Sequence, residues 1–199
     1  MTNSGIPYDT APVRRIGFLA DTHSRKADGS DLPRQALDAF AGVDLIVHLG
    51  DIGQKGILAR LAEVAPVLVP AGGDRGWVHV GGDDANPLRV IEAGGASVGL
   101  TFNVSKPDNA IMAVDSGLQF GDNPLAELLR KRFGRTVNVV AFAGTHRQWR
   151  EEREGVLFFN PGSPTLPVDR HSEDDLGGVA VLELTDGTAK LDLVRLRKA

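Results

Sequence analysis

Short apolar runs alternate with helical segments in the first half of the chain, and this alternation constrains the fold more than any other feature. Buried strands are predicted over three runs: residues 15–20, 43–49 and 67–69. One intervening helix is predicted to begin near Ser30 and Asp31, with Pro33 in its first turn, and a second to lie around Leu61. Uniformly apolar strands separated by helices are typical of a parallel sheet covered on both faces. The sequence therefore predicts an α/β fold.

The second half of the chain has the pattern of antiparallel strands. Apolar runs on either side of Gly94 and Gly95 predict a hairpin, and further strands are predicted over residues 137–143, 148–153, 156–160, 178–184 and 190–196. Residues 104–122 have no clear period and many Gly, Asp and Asn residues, so they predict a long loop. Asn123 is predicted to cap a third helix that has Pro124 at its first position.

Residues suited to binding a metal ion follow three of the predicted strands. Asp21 and His23 follow the first strand, Asp51 follows the second, and His146 follows the strand over residues 137–143. Sites in α/β proteins commonly form just past the carboxyl ends of strands. Two carboxylates and two imidazoles are enough to hold one divalent ion, and this mixed set suits Mn²⁺, Fe²⁺ or Zn²⁺. The sequence therefore predicts one metal site.

The order of these motifs resembles that of the calcineurin-like metallophosphoesterases, and is closest to their small bacterial and archaeal phosphodiesterase branch. The resemblance is carried by Asp21-x-His23, Gly50-Asp51, His146 and Asn160-Pro161-Gly162-Ser163, and it covers roughly residues 13–194. It implies a four-layer sandwich of two mixed β-sheets flanked by helices, with the site in loops at one edge. It also implies hydrolysis of phosphate esters, with the four metal ligands as the catalytic residues.

Three positions lack a ligand that the family supplies. The family's Asn falls on Gly72, or on Gly73 if the register slips by one residue. One family His falls on Phe102, and another falls on Gly144. In the family these three side chains bind only the second of two ions, whereas the ligands of the first ion are all present. The resemblance thus implies one surviving metal site, in which the normally bridging Asp51 is a terminal ligand.

Several polar residues near these gaps are candidates to replace the missing ion or its charge. Arg75, Arg147 and Lys106 are cationic, and an Arg side chain offers a planar fork for phosphate. The alternative, which the sequence favours at each position, is an ordinary surface charge. Asp74 and Asn103 are candidates to bind a displaced second ion, although Asn103 is one residue past a lost ligand and so faces the other way on a strand.

Two kinds of function remain open at this point. The favoured one is a metal-dependent phosphoesterase of the phosphodiesterase type, acting on a small phosphate ester. It is expected to be mononuclear and weakened, because one ion cannot stabilise both the attacking and the leaving oxygen. The alternative is a catalytically inactive protein of the same fold. It would serve either as a scaffold with a protein partner or as a module that binds a phosphorylated metabolite.

Composition and chain pattern exclude several other classes. A net charge of −4 over 199 residues gives no electrostatic case for a general nucleic-acid binder or an anionic-membrane binder. The absence of cysteine excludes disulfides and thiol catalysis. Residues 1–12 are expected to be a flexible extension rather than a secretory signal, and no run reaches membrane-spanning length. We therefore expect a cytoplasmic protein with a single domain over residues 13–199.

His48 also lies in an apolar run, directly before the Leu49-Gly50-Asp51 segment. A lone histidine in such a run usually makes a structural hydrogen bond. The sequence therefore predicts that His48 has this role and is not a fifth metal ligand.

Overall fold

The computed structural model describes residues 13–70, 90–105, 110–114 and 117–198, and every element below lies in these ranges. The first sheet has five strands, in the spatial order β12 (Thr188–Arg197), β11 (Asp175–Thr185), β1 (Arg15–Leu19), β2 (Leu45–His48) and β3 (Val67–Leu68). The second sheet has the order β4 (Val90–Ala93), β5 (Ala96–Leu100), β8 (Val139–Ala141), β10 (Val156–Pro161) and β9 (Gln148–Arg153). A separate hairpin is formed by β6 (Ile111–Val114) and β7 (Gly117–Phe120).

Both five-stranded sheets are mixed. In the first, β1, β2 and β3 run parallel, while β11 pairs antiparallel with β1 and with β12. In the second, β5, β8 and β10 run parallel, and the edge strands β4 and β9 join by antiparallel pairing. The parallel strands of each sheet end at a common edge, and this is where the predicted site residues are found.

Helices cover the outer face of each sheet. The described part of the chain contains the helices α1 (Arg34–Ala39), α2 (Gly56–Ala62) and α3 (Leu125–Phe133). Phe40, the C-cap of α1, and Leu61 of α2 belong to the same buried cluster as Ile46 of the first sheet, whereas α3 packs against the outer face of the second sheet. Between the sheets, the rings of Phe18 and Phe159 meet edge to face with centroids 5.0 Å apart. These layers confirm the predicted four-layer sandwich.

The prediction of a long loop over residues 104–122 is wrong, because this segment contains the β6–β7 hairpin. Ile111 pairs with Phe120, and Ala113 pairs with Leu118, so apolar side chains from both strands share one face. That face packs into the cluster that contains α3. Each strand has only four residues, and so short an alternation is hard to detect among Gly and Asp residues.

The starts of two helices also differ from the prediction. α1 begins at Arg34 rather than near Ser30, because Pro33 has an extended ψ of 135° and is the N-cap. Asp31 instead accepts a 2.7 Å hydrogen bond from the Ser24 hydroxyl. In α3 the N-cap is Pro124, with a ψ of 137° and no side-chain capping bond, so the predicted cap is wrong. Each proline is thus the N-cap of its helix and not a residue of the first turn.

Two further expectations concern membrane-spanning segments and the N-terminal extension. Among the described residues, no helix is long and apolar enough to cross a membrane. Residues 1–12 lie outside the described residues.

Candidate metal centre

The four predicted ligands come from loops at the carboxyl ends of strands in both sheets. Asp21 and His23 follow β1, Asp51 follows β2, and His146 follows β8. The parallel pairing of β1 and β2 continues past their ends, since the Asp21 amide donates to the Gly50 carbonyl and the His23 amide to the Asp51 carbonyl, each over 2.9 Å. The result is a cluster in which one ligand atom from each of the four side chains lies within 4.8 Å of the others.

All four of these residues have left-handed backbone. Their φ angles are 52° for Asp21, 41° for His23, 52° for Asp51 and 59° for His146. Among the described non-glycine residues, two others have positive φ, and both lie in hairpin turns. This conformation costs an L-residue about 1–2 kcal/mol, and such strain is concentrated at functional sites. Backbone strain thus marks the same four residues that the motifs select.

Asp21 is fully buried and only partly satisfied. Its Oδ2 accepts a 3.0 Å hydrogen bond from the Gly144 amide, whereas its Oδ1 has no hydrogen-bond partner in the described structure. Burial raises the pKa of Asp21 to about 6, against the lowering effects of nearby His146 and of the Gly144 amide. A buried carboxylate oxygen without a hydrogen-bond partner is unfavourable unless a cation binds it. The chemistry of this carboxylate therefore fits a bound metal ion.

The two histidines are arranged for coordination. His23 Nε2 lies 3.4 Å from Asp51 Oδ2, and the His23 and His146 rings stack with centroids 5.1 Å apart. His146 Nδ1 lies 2.8 Å from the Leu166 carbonyl oxygen. Because a carbonyl only accepts hydrogen bonds, Nδ1 carries the proton and Nε2 keeps its lone pair for a ligand. His23 and Asp51 are partly exposed, so the cluster is accessible from solvent.

The Asn160-Pro161-Gly162-Ser163 motif supports the cluster from below. The buried Ser163 hydroxyl donates to the Asp21 carbonyl oxygen over 2.8 Å and accepts from the Leu166 amide over the same distance. Asn160 Nδ2 donates to Thr145 Oγ1 over 3.0 Å. This motif therefore joins the loop after β1 to the loop after β8. Sequence reasoning used it only as a family signature and did not find this role.

His48 makes the predicted structural hydrogen bond. The Thr22 hydroxyl donates to the Ile52 carbonyl over 2.8 Å, so it accepts from His48 Nε2, which is 2.9 Å away. His48 Nδ1 in turn faces the Gly50 amide at 3.3 Å. Burial, and secondly the nearby His23, lower the pKa of His48 to about 3. A neutral, buried His48 thus fixes the backbone between the ligands without joining them.

The structure describes Phe102 and Gly144, which are two of the three positions where the resemblance implies a missing ligand. Phe102 lies in the bend after β5, and a Cβ added at Gly144 would lie 3.5 Å from the Cε1 and Cζ atoms of its ring. An aromatic ring therefore lies beside a glycine where the family has two histidines. Asn103 is also past the end of the strand, and its Oδ1 accepts a hydrogen bond from the Ser105 amide. The remaining positions named from the sequence lie outside the described residues: Gly72, Gly73, Asp74, Arg75 and Lys106.

Arg147 lies beside the cluster because it follows His146 directly. Its side chain is about one-third exposed, and its Nε lies 3.9 Å from Asp169 Oδ2. Its amide donates to Thr145 Oγ1 over 3.3 Å. The guanidinium is thus held near the ligands by a carboxylate from the chain after Leu166.

The two mixed sheets, the outer helices and the ligand cluster at the strand ends define a metallophosphoesterase-like sandwich. The calcineurin-like phosphoesterase superfamily domain matches residues 15–187, and the chain belongs to this superfamily. A probable metallophosphoesterase of Methanocaldococcus jannaschii is 30% identical over 152 residues, which are 76% of this chain and 69% of that protein. A probable metallophosphoesterase of Methanothermobacter thermautotrophicus is 31% identical over 153 residues, which are 76% and 78% of the two chains.

Solved structures with low sequence identity share the fold. Wild-type Vps29 from Entamoeba histolytica, complexed with Zn²⁺, aligns with a TM-score of 0.59 at 20% identity over 91% of this chain and 98% of that chain. An archaeal phosphodiesterase aligns with a TM-score of 0.52 at 15% identity, over 90% and 99% of the two chains. These likenesses support the sandwich architecture.

Proposed function

We propose that this chain is a phosphodiesterase that depends on a single divalent metal ion. The proposal is carried by the convergence of four ligand side chains to within 4.8 Å around a buried carboxylate oxygen with no other partner among the described residues. Membership of the calcineurin-like phosphoesterase superfamily supports the reaction class. The mixed carboxylate and imidazole set suits Mn²⁺, Fe²⁺ or Zn²⁺. Zn²⁺ is present in the solved structure of Vps29, which has the same fold.

In this proposal Asp21, His23, Asp51 and His146 hold the ion. A divalent ion bound there supplies Lewis acidity, which lowers the pKa of water and neutralises charge on a phosphoryl oxygen. Asp21 contributes its charge from a dry position, where electrostatic attraction is strong. Arg147 is proposed to bind a phosphoryl oxygen through its planar guanidinium. Arg75 is proposed for the same role on the basis of the sequence alone.

The proposed number of ions follows from the second side of the centre. Phe102 and Gly144 have no atom that coordinates a metal, and Gly72 has no side chain. Catalysis of in-line displacement by two ions depends on charge stabilisation at both the attacking and the leaving oxygen. A single ion stabilises charge at only one of these two oxygens. Turnover is therefore expected to be low.

The alternative function is a catalytically inactive scaffold or a module that binds a phosphorylated metabolite. The position of the Phe102 ring, 3.5 Å from where a Cβ at Gly144 would lie, favours it, because an apolar ring lies where the resemblance implies histidine ligands. In this alternative the retained cluster binds an ion or a phosphate group without turnover, and a scaffold would also have a protein partner.

Metal analysis paired with a hydrolysis assay separates these functions. Protein purified without chelator should contain one divalent ion per chain by mass spectrometry of the metal. After loading with Mn²⁺, Fe²⁺ or Zn²⁺, its turnover of bis(p-nitrophenyl) phosphate should rise with ion occupancy up to one equivalent. Metal without turnover for all three ions would establish the alternative. Two fully occupied sites that share Asp51 would contradict the mononuclear centre.

The context of this function is also a proposal. We place the activity in a single domain over residues 13–199, in the cytoplasm, with a small phosphate ester as the ligand. A sequence without cysteine and with a net charge of −4 is compatible with this location and does not favour general nucleic-acid binding. Limited proteolysis tests the domain, and cell fractionation tests the compartment.

A further inference from the structure

A pocket with a volume of about 170 Å³ lies beside the proposed metal centre. The β6–β7 hairpin forms one wall, and the chain on both sides of His146 forms another. Most of its lining is apolar and includes five side chains: Val114, Leu118, Phe142, Trp149 and Val168. The polar part of the lining is supplied by Thr145 and Arg147, which are the two sequence neighbours of His146. An apolar pocket with polar groups at one end is the usual form of a small-molecule site.

We propose that this pocket binds the organic group of the phosphoester and selects a single flat aromatic ring. The inference rests on the proposed function of the metal centre, which would hold the phosphoryl group. Apolar cavities of about 150 Å³ hold one benzene molecule, whereas sites for drug-sized ligands measure about 300–1,000 Å³. The volume of this pocket therefore matches one ring.

The walls of the pocket are held in position by specific contacts. The Leu118 amide donates to Glu151 Oε2 over 3.1 Å, which fixes the hairpin against β9. A Cβ added at Gly117 would lie 3.1 Å from Trp149 Cζ2 and 3.2 Å from the same Glu151 oxygen. The glycine thus lets the hairpin approach the indole closely. An indole wall favours flat aromatic ligands through offset or edge-to-face stacking.

The pocket and the metal centre share one segment of chain, residues 166–168. The Leu166 carbonyl orients the His146 ring, and the Val168 amide donates to the His146 carbonyl over 3.5 Å. Val168 itself lines the pocket. Arg147 contributes to the pocket lining while it pairs with Asp169, directly after this segment. A ligand whose anionic group binds the single proposed ion therefore extends its organic group past Arg147 into the apolar walls.

Binding of two phosphonates tests the pocket without depending on hydrolysis. Phenylphosphonate and methylphosphonate have the same anionic group and differ in the ring. Calorimetry with Mn²⁺-loaded protein should show phenylphosphonate binding about tenfold more tightly. Val114→Asn should remove most of this preference. Met112→Asn should keep it, because Met112 is on the same hairpin and is 38% exposed, as Val114 is, but does not line the pocket.

Equal affinity for the two phosphonates would overturn the proposal, as would equal effects of the two substitutions on the preference. A third probe, cyclohexylphosphonate, tests flatness, and it should bind more weakly than phenylphosphonate; equal binding would overturn selection of a flat ring. The hydrolysis assay separates the two hypotheses. Ring preference without turnover would contradict the phosphodiesterase and leave the pocket standing. Turnover without ring preference would overturn the pocket proposal and leave the phosphodiesterase standing.

Discussion

At the carboxyl ends of the strands, two neighbouring regions differ in chemistry although they share their loops. They are the cluster of four candidate ligands and the region around Phe102 and Gly144. On one side, Asp21 and His146 point ligand atoms at a common centre. On the other side, the Phe102 ring lies against Gly144, which is only two residues before His146. Gly144 nevertheless serves the first side, because its amide is the hydrogen-bond partner of Asp21 Oδ2. A position without a coordinating side chain can thus support the cluster of candidate ligands through its backbone amide.

The largest expected effect comes from removing ligands on the intact side. Asp51→Ala or His146→Ala should lower affinity for Mn²⁺ or Zn²⁺ by at least about 100-fold, since each removes one of four ligand side chains. Calorimetry and metal analysis measure the loss. The fold should remain, because neither residue belongs to the apolar clusters.

A matched control separates loss of the ligand from backbone strain. Asp186→Ala places alanine in the same left-handed backbone, with a φ of 49° compared with 52° at Asp51, in a hairpin turn away from the cluster. It should keep wild-type metal affinity while losing a similar amount of stability. Wild-type affinity in both ligand variants would mean that the ion binds elsewhere.

The second prediction concerns how the raised pKa of Asp21 makes stability depend on pH. Its folded-state pKa of about 6 is above its ordinary value of 3.8, so the folded metal-free protein holds this proton to higher pH than the unfolded chain. The resulting stability is fully present below pH 3.8 and is lost as pH rises through 6. Asp21→Asn removes this loss. Relative to wild type it should gain up to about 3 kcal/mol between pH 4 and pH 8.

Urea denaturation of both metal-free proteins at pH 4, 5, 6, 7 and 8 measures this difference. Added Mn²⁺ should reverse the order at pH 7, since an ion that binds only the folded state stabilises it and the variant has lost a ligand. A stability difference that does not change with pH would show that Asp21 titrates normally.

The third prediction is that the family's second metal site can be rebuilt on the side that contains Phe102 and Gly144. Gly72→Asn, Phe102→His and Gly144→His together should add a second ion that shares Asp51 and raise kcat/KM for bis(p-nitrophenyl) phosphate by about tenfold or more. Phe102→His must accompany Gly144→His, because the ring lies 3.5 Å from the site of the new Cβ. Metal analysis and steady-state kinetics are the measurements.

Folding of this triple variant has to be checked first. Gly144 has a φ of 85°, where any side chain is strained. Circular dichroism and a thermal melt provide the check. A folded variant with two ions and unchanged kcat/KM would show that the missing ion does not limit activity.

The smallest expected effect concerns Arg147, which directly follows His146 in the chain. Arg147→Ala should raise KM for the phosphodiester about three- to tenfold with little change in metal affinity, because it removes a positive charge beside the ligands. Arg150→Ala is the matched control, since Arg150 is on the adjoining strand and pairs with Glu152. Equal kinetics for the two variants would show that Arg147 is an ordinary surface charge.

Much of the fold was accessible from the sequence because many strands are continuous apolar runs bounded by helices or by turn residues. The apolar runs of β1, β2 and β8 and the turn signals of the later hairpins predict their strands. The β6–β7 hairpin was missed because its two four-residue strands can be recognised only from their packing against α3. The helix starts were misplaced because proline is equally suited to the N-cap and the first turn, and only ψ distinguishes these positions.

The cluster of Asp21, His23, Asp51 and His146 was predicted, since each residue lies in a loop that follows a strand end, while their role as metal ligands stays a prediction. Its support was not predicted. The bond from Ser163 to the Asp21 carbonyl spans 142 positions of sequence, and no local pattern announces it. The positive φ angles are equally invisible in the sequence, because His and Asp occur there without the usual glycine. The pocket was missed with the hairpin that builds it.

The left-handed backbone at the four ligands has a consequence for how such a centre evolves. A mutation to glycine at any of these positions removes a ligand and at the same time relaxes the chain. Stability then favours loss of the centre once the ion no longer matters, which is a trade-off between stability and function. Gly144, with its φ of 85°, shows the same left-handed region occupied by a glycine, which is free of that strain.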